Sequence, residues 1–327
     1  MDKFCLVHTD WHQHPLSAAD QLALAELGVE VVLLNSRSRE EFLGLAASAD
    51  VILNSDFRIT ADLMSALKKC RLISRYGSGL DNIDVEAATR LGIAVANVRE
   101  FCTDAVADRT FSLLLACSCS LALLNRYPRE GEWGLKDLPF AIELKGKTLG
   151  LVGFGKIGRA VADRARGFGL AVIAYDPYVG DECMQAHGAR RADLEGLLAH
   201  SDFVSLHAPL TEETLHLLDE GRIGLMKPSC ILINTARGRL VDEGALLCAL
   251  RAKRLYGAGL DVFEKEPPDP GNPLFALDNV TVTPHCGAHT KEATERVRRQ
   301  AVDTVIAFFR NEQPENVVNP EAWQRVG

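Results

Sequence analysis

Three apolar runs of the chain end in polar residues that can bind anions or move protons. Ile231-Leu232-Ile233-Asn234 leads into Thr235-Ala236-Arg237-Gly238, Gly259-Leu260 into Asp261-Val262-Phe263-Glu264-Lys265-Glu266-Pro267, and Val282-Thr283 into Pro284-His285-Cys286-Gly287. A histidine exchanges a proton near neutral pH. A glutamate beside it favours the imidazolium and orients the ring. An arginine clamps a carboxylate and polarises a neighbouring carbonyl. Arg237, Glu266 and His285 are therefore the candidate catalytic set. Taken singly, each has an ordinary structural explanation: a loop salt bridge, a solvated carboxylate, a satisfied buried histidine. The expectation rests on their occurring together, downstream of a nucleotide-binding loop.

That loop is Gly153-Phe154-Gly155-Lys156-Ile157-Gly158. A lone GxGxxG carries little weight, but here it follows the apolar run Leu149-Gly150-Leu151-Val152 and opens a helical pattern. Gly153 permits a tight turn, Gly155 lets the backbone approach a pyrophosphate, and Gly158 packs helix on strand. The helix N-terminus offers unpaired N–H groups to the phosphates. The next apolar run ends in Tyr175-Asp176-Pro177, with Asp176 18 residues after Gly158. A carboxylate there accepts hydrogen bonds from the ribose hydroxyls and repels a 2′-phosphate, which favours NAD over NADP.

The elements that must position these residues alternate along the chain. Strands are expected at 4–8, 29–34, 51–54, 72–75 and 93–97, with helices near 18–27, 39–47, 61–67 and 85–91. A long helix is expected over about 103–125, capped by Thr103 or Asp104. A second alternating run begins at Thr148, with strands at 149–153, 171–175, 203–207, 231–234, 256–260 and 280–283. Helices fit 157–168, 194–199 and 243–251, and a last long helix fits 291–309. Alternation of this kind makes parallel sheets covered on both faces. The segment after Thr290 is too short for a third domain and reads as a return to the first.

Composition narrows the function classes. The 327 residues carry a net charge of −8, with 47% hydrophobic and 24% charged residues. This is a globular chain, with no charge excess for phosphate contacts to nucleic acid. The longest nearly charge-free stretch, 110–125, is 16 residues with three serines, short for a membrane span. Met1-Asp2-Lys3-Phe4-Cys5 has no signal-peptide pattern, and the nine scattered cysteines read as reduced thiols, so a cytoplasmic location is expected. No metal site is expected: Cys117 and Cys119 would point to different helix faces. Phe111, Leu113, Leu114, Leu115, Leu121, Leu123 and Leu124 give the long helix more apolar surface than one face can use, which suggests a homodimer.

Read together, these motifs resemble the D-isomer-specific 2-hydroxyacid dehydrogenase family, the group with phosphoglycerate, glycerate and formate dehydrogenases and the C-terminal-binding-protein corepressors. The segments that carry the resemblance are 76–84, 144–150, 153–158, 234–239, 261–267 and 284–290, in family order. The resemblance implies an α/β fold of two Rossmann-like domains with a cleft between them. One is a flavodoxin-like, discontinuous substrate domain (1–100 plus 290–327); the other is a doubly wound NAD-binding domain (101–289). It implies that Arg237 binds substrate, that Glu266 pairs with His285, and that His285 is the acid/base. Ser78 and Gly79 amides would hold the substrate carboxylate. His207 and Pro209 would line the cofactor, with Thr214 near the phosphates, Asp261 facing the nicotinamide amide and Val106 touching the nicotinamide ring. Thr235, Ala236 and Gly287 would complete the cofactor contacts. The implied reaction is hydride transfer between NAD(H) and a small 2-hydroxy or 2-oxo acid of D configuration.

Several residues depart from the family pattern or go beyond it. Asn54 stands where phosphoglycerate enzymes often carry a phosphate-binding arginine, which disfavours phosphoglycerate. Arg75 could contact a second anionic group or serve as a core-edge salt bridge. Residues 99–105 are unusual for the family. His12 and His14 follow the first strand and edge the implied cleft; a polar loop is their default reading. Arg296-Val297-Arg298-Arg299 reads as a solvated helix face. Two other functions share this scaffold: an NAD-sensing, corepressor-like binding protein, and an oxidoreductase acting on a phosphono acid or phosphorus oxyanion.

Overall fold

Short β-branched and aliphatic runs make the strands, and serine, threonine or aspartate side chains start most of the helices between them. The computed structural model of the chain describes residues 4–34, 38–134 and 138–323. Met1–Lys3 and the last four residues of the tail lie outside the described residues. In chain order the elements begin with β1 (Phe4–His8), α1 (Ala18–Glu26), β2 (Val29–Leu33), α2 (Arg39–Ala46), β3 (Val51–Asn54), α3 (Ala61–Met64), β4 (Leu72–Arg75), α4 (Val85–Arg90) and β5 (Ala94–Asn97). Next come α5 (Thr103–Ser118), α6 (Leu121–Leu124), β6 (Thr148–Val152), α7 (Lys156–Gly167), β7 (Ala171–Tyr175), α8 (Asp181–Ala186), β8 (Ala189–Arg191), α9 (Leu194–His200) and β9 (Phe203–Leu206). The chain closes with α10 (Glu220–Leu225), β10 (Ile231–Asn234), α11 (Glu243–Arg251), β11 (Gly257–Leu260), β12 (Val280–Val282) and α12 (Lys291–Phe309).

These elements form two units, Met1–Cys102 with Thr290–Gly327, and Thr103–His289. The first holds a five-stranded parallel sheet, ordered β2-β1-β3-β4-β5. The tail returns to it by hydrogen bonds: Ser74 Oγ donates to Ala301 O at 3.0 Å and Val95 N to Asn319 Oδ1 at 2.7 Å. The second holds a seven-stranded parallel sheet, ordered β12-β11-β10-β9-β6-β7-β8. One face of that sheet packs Phe111, Leu114, Val161 and Phe203, the other Leu197, Leu232, Leu246 and Leu250. Burial of each such side chain contributes roughly 1.5–3 kcal/mol. Sheet order reverses between β6 and β9, and in an open α/β sheet the crevice at that switch point takes the ligand.

The long helix expected over 103–125 is two helices. Thr103 begins α5 rather than capping it, and the chain breaks at Ser120, whose φ is +49°. Phe111, Leu113 and Leu114 are buried within their own unit, so the apolar excess narrows to Leu121 and its neighbours. The expected helix at 61–67 ends at Met64. Three elements were not expected: α8, β8 and α10. No single helix among the described residues is long and apolar enough to cross a membrane.

Candidate active site

The glycine loop follows β6 and opens α7, and two of its glycines are required by contact. Gly153 has φ +93°, and a Cβ there would lie 2.6 Å from Ala208 N. A Cβ on Gly158 would lie 2.4 Å from the Gly153 carbonyl oxygen. At Gly155 a Cβ would meet nothing within 4 Å, so this position faces open space, as close approach of a pyrophosphate requires. Phe154 turns its ring into the core, while its N–H donates to Asp176 Oδ2 at 2.7 Å. Asp176 Oδ1 accepts from Tyr178 N at 2.9 Å. The carboxylate is thus fixed at the end of β7 with lone pairs left for a ribose diol. Pro177 is exposed beside it, and Lys156 and Ile157 form the first turn of α7. The residues present fit a dinucleotide, and they fit one without a 2′-phosphate.

His285, Glu266 and Arg237 come from three different loops of the same unit. His285 Nδ1 lies 2.6 Å from Glu266 Oε2. Phe263 N donates to Glu266 Oε1 at 3.0 Å, which fixes the carboxylate behind the ring. The hydrogen bond to Glu266 raises the His285 pKa above the ordinary imidazole range; burial and the Arg237 charge pull against it. Burial pushes Glu266 up, but its bond to His285 and the nearby positive charges outweigh this and leave it lowered. Because Nδ1 is committed to Glu266, Nε2 is the ring nitrogen that could exchange a proton with a bound molecule. Arg237 Nη1 donates to Ala236 O at 2.7 Å, and Asn234 Nδ2 donates to Arg237 O at 2.8 Å, so the loop after β10 is held at both sides of the arginine.

Asp261 holds the loop that carries His285. The His285 N–H donates to Asp261 O at 2.8 Å. The Asp261 carboxylate accepts from Cys286 N at 2.9 Å, Gly287 N at 2.7 Å and the Thr283 hydroxyl. Three of its roughly four acceptor positions are therefore used inside the protein, a bracing role that the motif alone did not reveal. His285 itself has φ +48°, a left-handed conformation that this bracing maintains. Gly287 sits against Val106: a Cβ there would lie 3.0 Å from Asp261 Oδ2 and 3.6 Å from Val106 Cγ2. Thr235 meets Thr110 of α5, hydroxyl to hydroxyl, at 3.0 Å.

The other expected residues divide. His207 follows β9, with Nε2 2.9 Å from Ser205 Oγ, and burial pushes its pKa down to about 4. It is a neutral ring, not a proton donor, at physiological pH. Pro209 O accepts the Thr214 hydroxyl proton at 2.7 Å. A phosphate contact from that hydroxyl would need this bond to break. In the first unit, Gly77 has φ +136°, and the Ser78 and Gly79 amides have no acceptor among the described residues. Asn97 Nδ2 fixes the Ser78 carbonyl at 2.7 Å. Arg75 Nε donates to Asn82 Oδ1 at 3.1 Å. Asn54 is fully buried, its Oδ1 accepting the Thr9 hydroxyl at 2.8 Å. His14 stacks on Tyr76 at 4.4 Å between ring centroids, while His12 lies tilted against Trp11. Arg298 pairs with Asp20 rather than lying on a solvated face. Among the described residues no group of three or more His, Cys, Asp or Glu could hold a metal ion.

Comparison with known proteins follows the same lines. Residues 111–287 match the family model of the D-isomer specific 2-hydroxyacid dehydrogenase NAD-binding domain. A glyoxylate reductase of Thermococcus litoralis is 45% identical over 270 residues, 81% of each chain. A D-3-phosphoglycerate dehydrogenase of Methanocaldococcus jannaschii is 42% identical over 298 residues, covering 90% of this chain and 56% of that protein. The structure of a D-lactate dehydrogenase from Aquifex aeolicus, complexed with NAD and lactic acid, superposes with a TM-score of 0.86 at 30% identity, covering 96% of this chain and 99% of that one. The chain belongs to the D-isomer specific 2-hydroxyacid dehydrogenase family, and it is an NAD-dependent oxidoreductase of D-2-hydroxy acids.

Proposed function

We propose that the chain reduces small, unphosphorylated 2-oxo acids of about the size of glyoxylate, with Arg237, Glu266 and His285 doing the chemistry. The observation that carries this reading is the 2.6 Å contact between His285 Nδ1 and Glu266 Oε2. It favours the form of His285 with a proton on Nε2, near an arginine whose charge acts on both partners. A dinucleotide held by the glycine loop and Asp176 would supply the hydride for the carbonyl carbon. His285 Nε2 gives its proton to the oxygen as negative charge develops there. Arg237 stabilises that charge and binds the substrate in its ground state. In the oxidative direction neutral His285 takes the hydroxyl proton. The Ser78 and Gly79 amides are donors suited to the carboxylate.

The choice of substrate rests on Asn54, which is buried and hydrogen-bonded to Thr9, in place of an arginine for a phosphate. The glyoxylate reductase relatives favour the same reading. A screen of NADH consumption tests it, using glyoxylate, hydroxypyruvate, pyruvate, phosphohydroxypyruvate and a phosphono-oxo acid. Highest catalytic efficiency on one of the first three is expected. A preference for a phosphorylated or phosphono acid would overturn the choice.

The same reading extends to assembly and location. Leu121, Trp133 and Phe140 are 59%, 94% and 93% exposed, all in the segment between α5 and β6. Apolar side chains this open fit a two-fold partner surface on the second unit. Light scattering at micromolar concentration should give a dimer. The cysteines, eight of them free thiols apart from Cys102, suit the reducing cytoplasm.

A further inference from the structure

His216 lies in the strap between β9 and α10, the strap that also carries Pro209 and Thr214. Its φ is +48°, a left-handed conformation that histidine tolerates better than a β-branched residue. The strap runs beside the segment that begins at Arg237. His216 N donates to Arg239 O at 2.8 Å, Leu218 N to Leu240 O at 2.9 Å, and Asp242 N back to Leu218 O at 3.0 Å. The His216 ring reaches further. Its Nε2 lies 2.8 Å from Glu264 Oε1, two residues before Glu266.

Glu264 is itself stitched to the end of the Arg237 segment. Its Oε1 accepts from Glu243 N at 3.2 Å, and its own N–H donates to Glu243 Oε2 at 3.2 Å. Asn272 Nδ2 donates to Glu243 Oε1 at 2.6 Å. Beside this crossing the two backbones touch: a Cβ on Gly238 would lie 1.9 Å from the Phe263 carbonyl carbon and 2.5 Å from Glu264 N. The Arg237 segment and the Glu266 turn are therefore pressed together, with no room for a side chain between them.

We propose that His216 is a positioning residue for the reaction, its Nε2 contact with Glu264 locking the Arg237 segment, the Glu266 turn and the Thr214 strap into one body. This rests on the assignment of Arg237, Glu266 and His285 as the reacting set. Glu264 offers only acceptors, and the contact is an ion pair only when the ring is protonated. Both partners are partly open to solvent, and an ion pair of that kind adds little to stability. Its value lies in where it puts Arg237 and Glu266, because a small misplacement of reacting groups costs rate out of proportion to stability.

The test uses two variants with the same Cβ at the same backbone position. His216→Phe keeps a flat ring and removes the donor, while His216→Gln returns an amide N–H close to the Nε2 position. In His216→Phe, catalytic efficiency for the preferred 2-oxo acid should fall about tenfold and the alkaline limb of its pH profile should move to lower pH, with Tm changed by less than about 2 °C. His216→Gln should recover to within about twofold of wild type. A His216→Phe enzyme with wild-type kinetics overturns the proposal. So does a loss that Gln fails to rescue, or a loss that only tracks the folded fraction. Arg237→Ala, assayed alongside, separates two failures. If it keeps its activity, the assignment of the reacting set falls and the proposal with it. If it loses activity while His216→Phe does not, only the role of His216 is wrong.

Discussion

Two histidines at the strand ends of one sheet show how location sets chemistry. His207 follows β9, next to the sheet's switch point, where burial drives its pKa down to about 4 and its Nε2 contacts a serine hydroxyl. His285 follows β12, at the sheet edge, where Glu266 takes its Nδ1 and raises its pKa. One ring is held neutral; the other is held ready to charge, as the acid proposed for it requires. Burial acts on one ring and a carboxylate partner on the other, so surroundings and not residue type make the difference. The supporting bonds differ in the same sense. Three donors on Asp261 fix the loop around His285, whereas the His207 N–H donates to Val152 O at the end of β6 at 2.7 Å.

The contrast breaks most easily by deleting the acid. His285→Ala should lower turnover by about a hundred- to ten-thousandfold while NADH binding, followed by fluorescence titration, is largely kept. His207→Asn should cost far less, within about tenfold, because no proton passes through that ring. Equal losses in the two variants would erase the distinction. Arg237→Ala should come next, weakening both substrate binding and turnover, since the arginine meets the ground state and the transition state. Steady-state kinetics on the preferred 2-oxo acid would read the two effects separately.

A smaller effect is expected where the cofactor is chosen. Wild type should prefer NADH over NADPH by more than about tenfold in catalytic efficiency, and Asp176→Ala should shrink that preference. The Phe154 and Tyr178 amides that Asp176 accepts would be left without it, so some loss of NADH affinity should accompany the change. Equal use of both cofactors by wild type would contradict the role given to Asp176.

How far the sequence reveals this site depends on which bonds form it. The strand ends at Asn54, Arg75, Tyr175 and Asn234 were legible because each closes an apolar run, and the glycine loop was legible because its spacing encodes contacts within one turn. The pairing of His285 with Glu266 came through resemblance, since nothing local joins residues 19 apart. The bracing by Asp261 and the Glu243–Glu264 stitch were invisible, being hydrogen bonds between loops far apart in the chain. Among the elements, β8 escaped because it is a three-residue edge strand with two exposed arginines and no alternation. The six-residue α10, capped by Asp219, is too short to show a helical period. The long helix was drawn through Ser120 because Leu121–Leu124 continues its apolar pattern; the break is made by a left-handed serine and by Ile142 N reaching back to Ser118 O at 2.8 Å.

The most direct test is the pH dependence of catalytic efficiency in both directions, for wild type and Glu266→Gln. Reduction needs His285 protonated, so wild type should be fast at low pH and decline as pH rises through the raised His285 pKa; oxidation needs the neutral ring and should do the reverse. Glu266→Gln removes the negative charge that favours the imidazolium, so both limbs should move to lower pH by about half a unit or more. Limbs that stay where they are in the Gln variant would mean that Glu266 does not set the protonation of His285, and the paired acid would not be the centre of this enzyme.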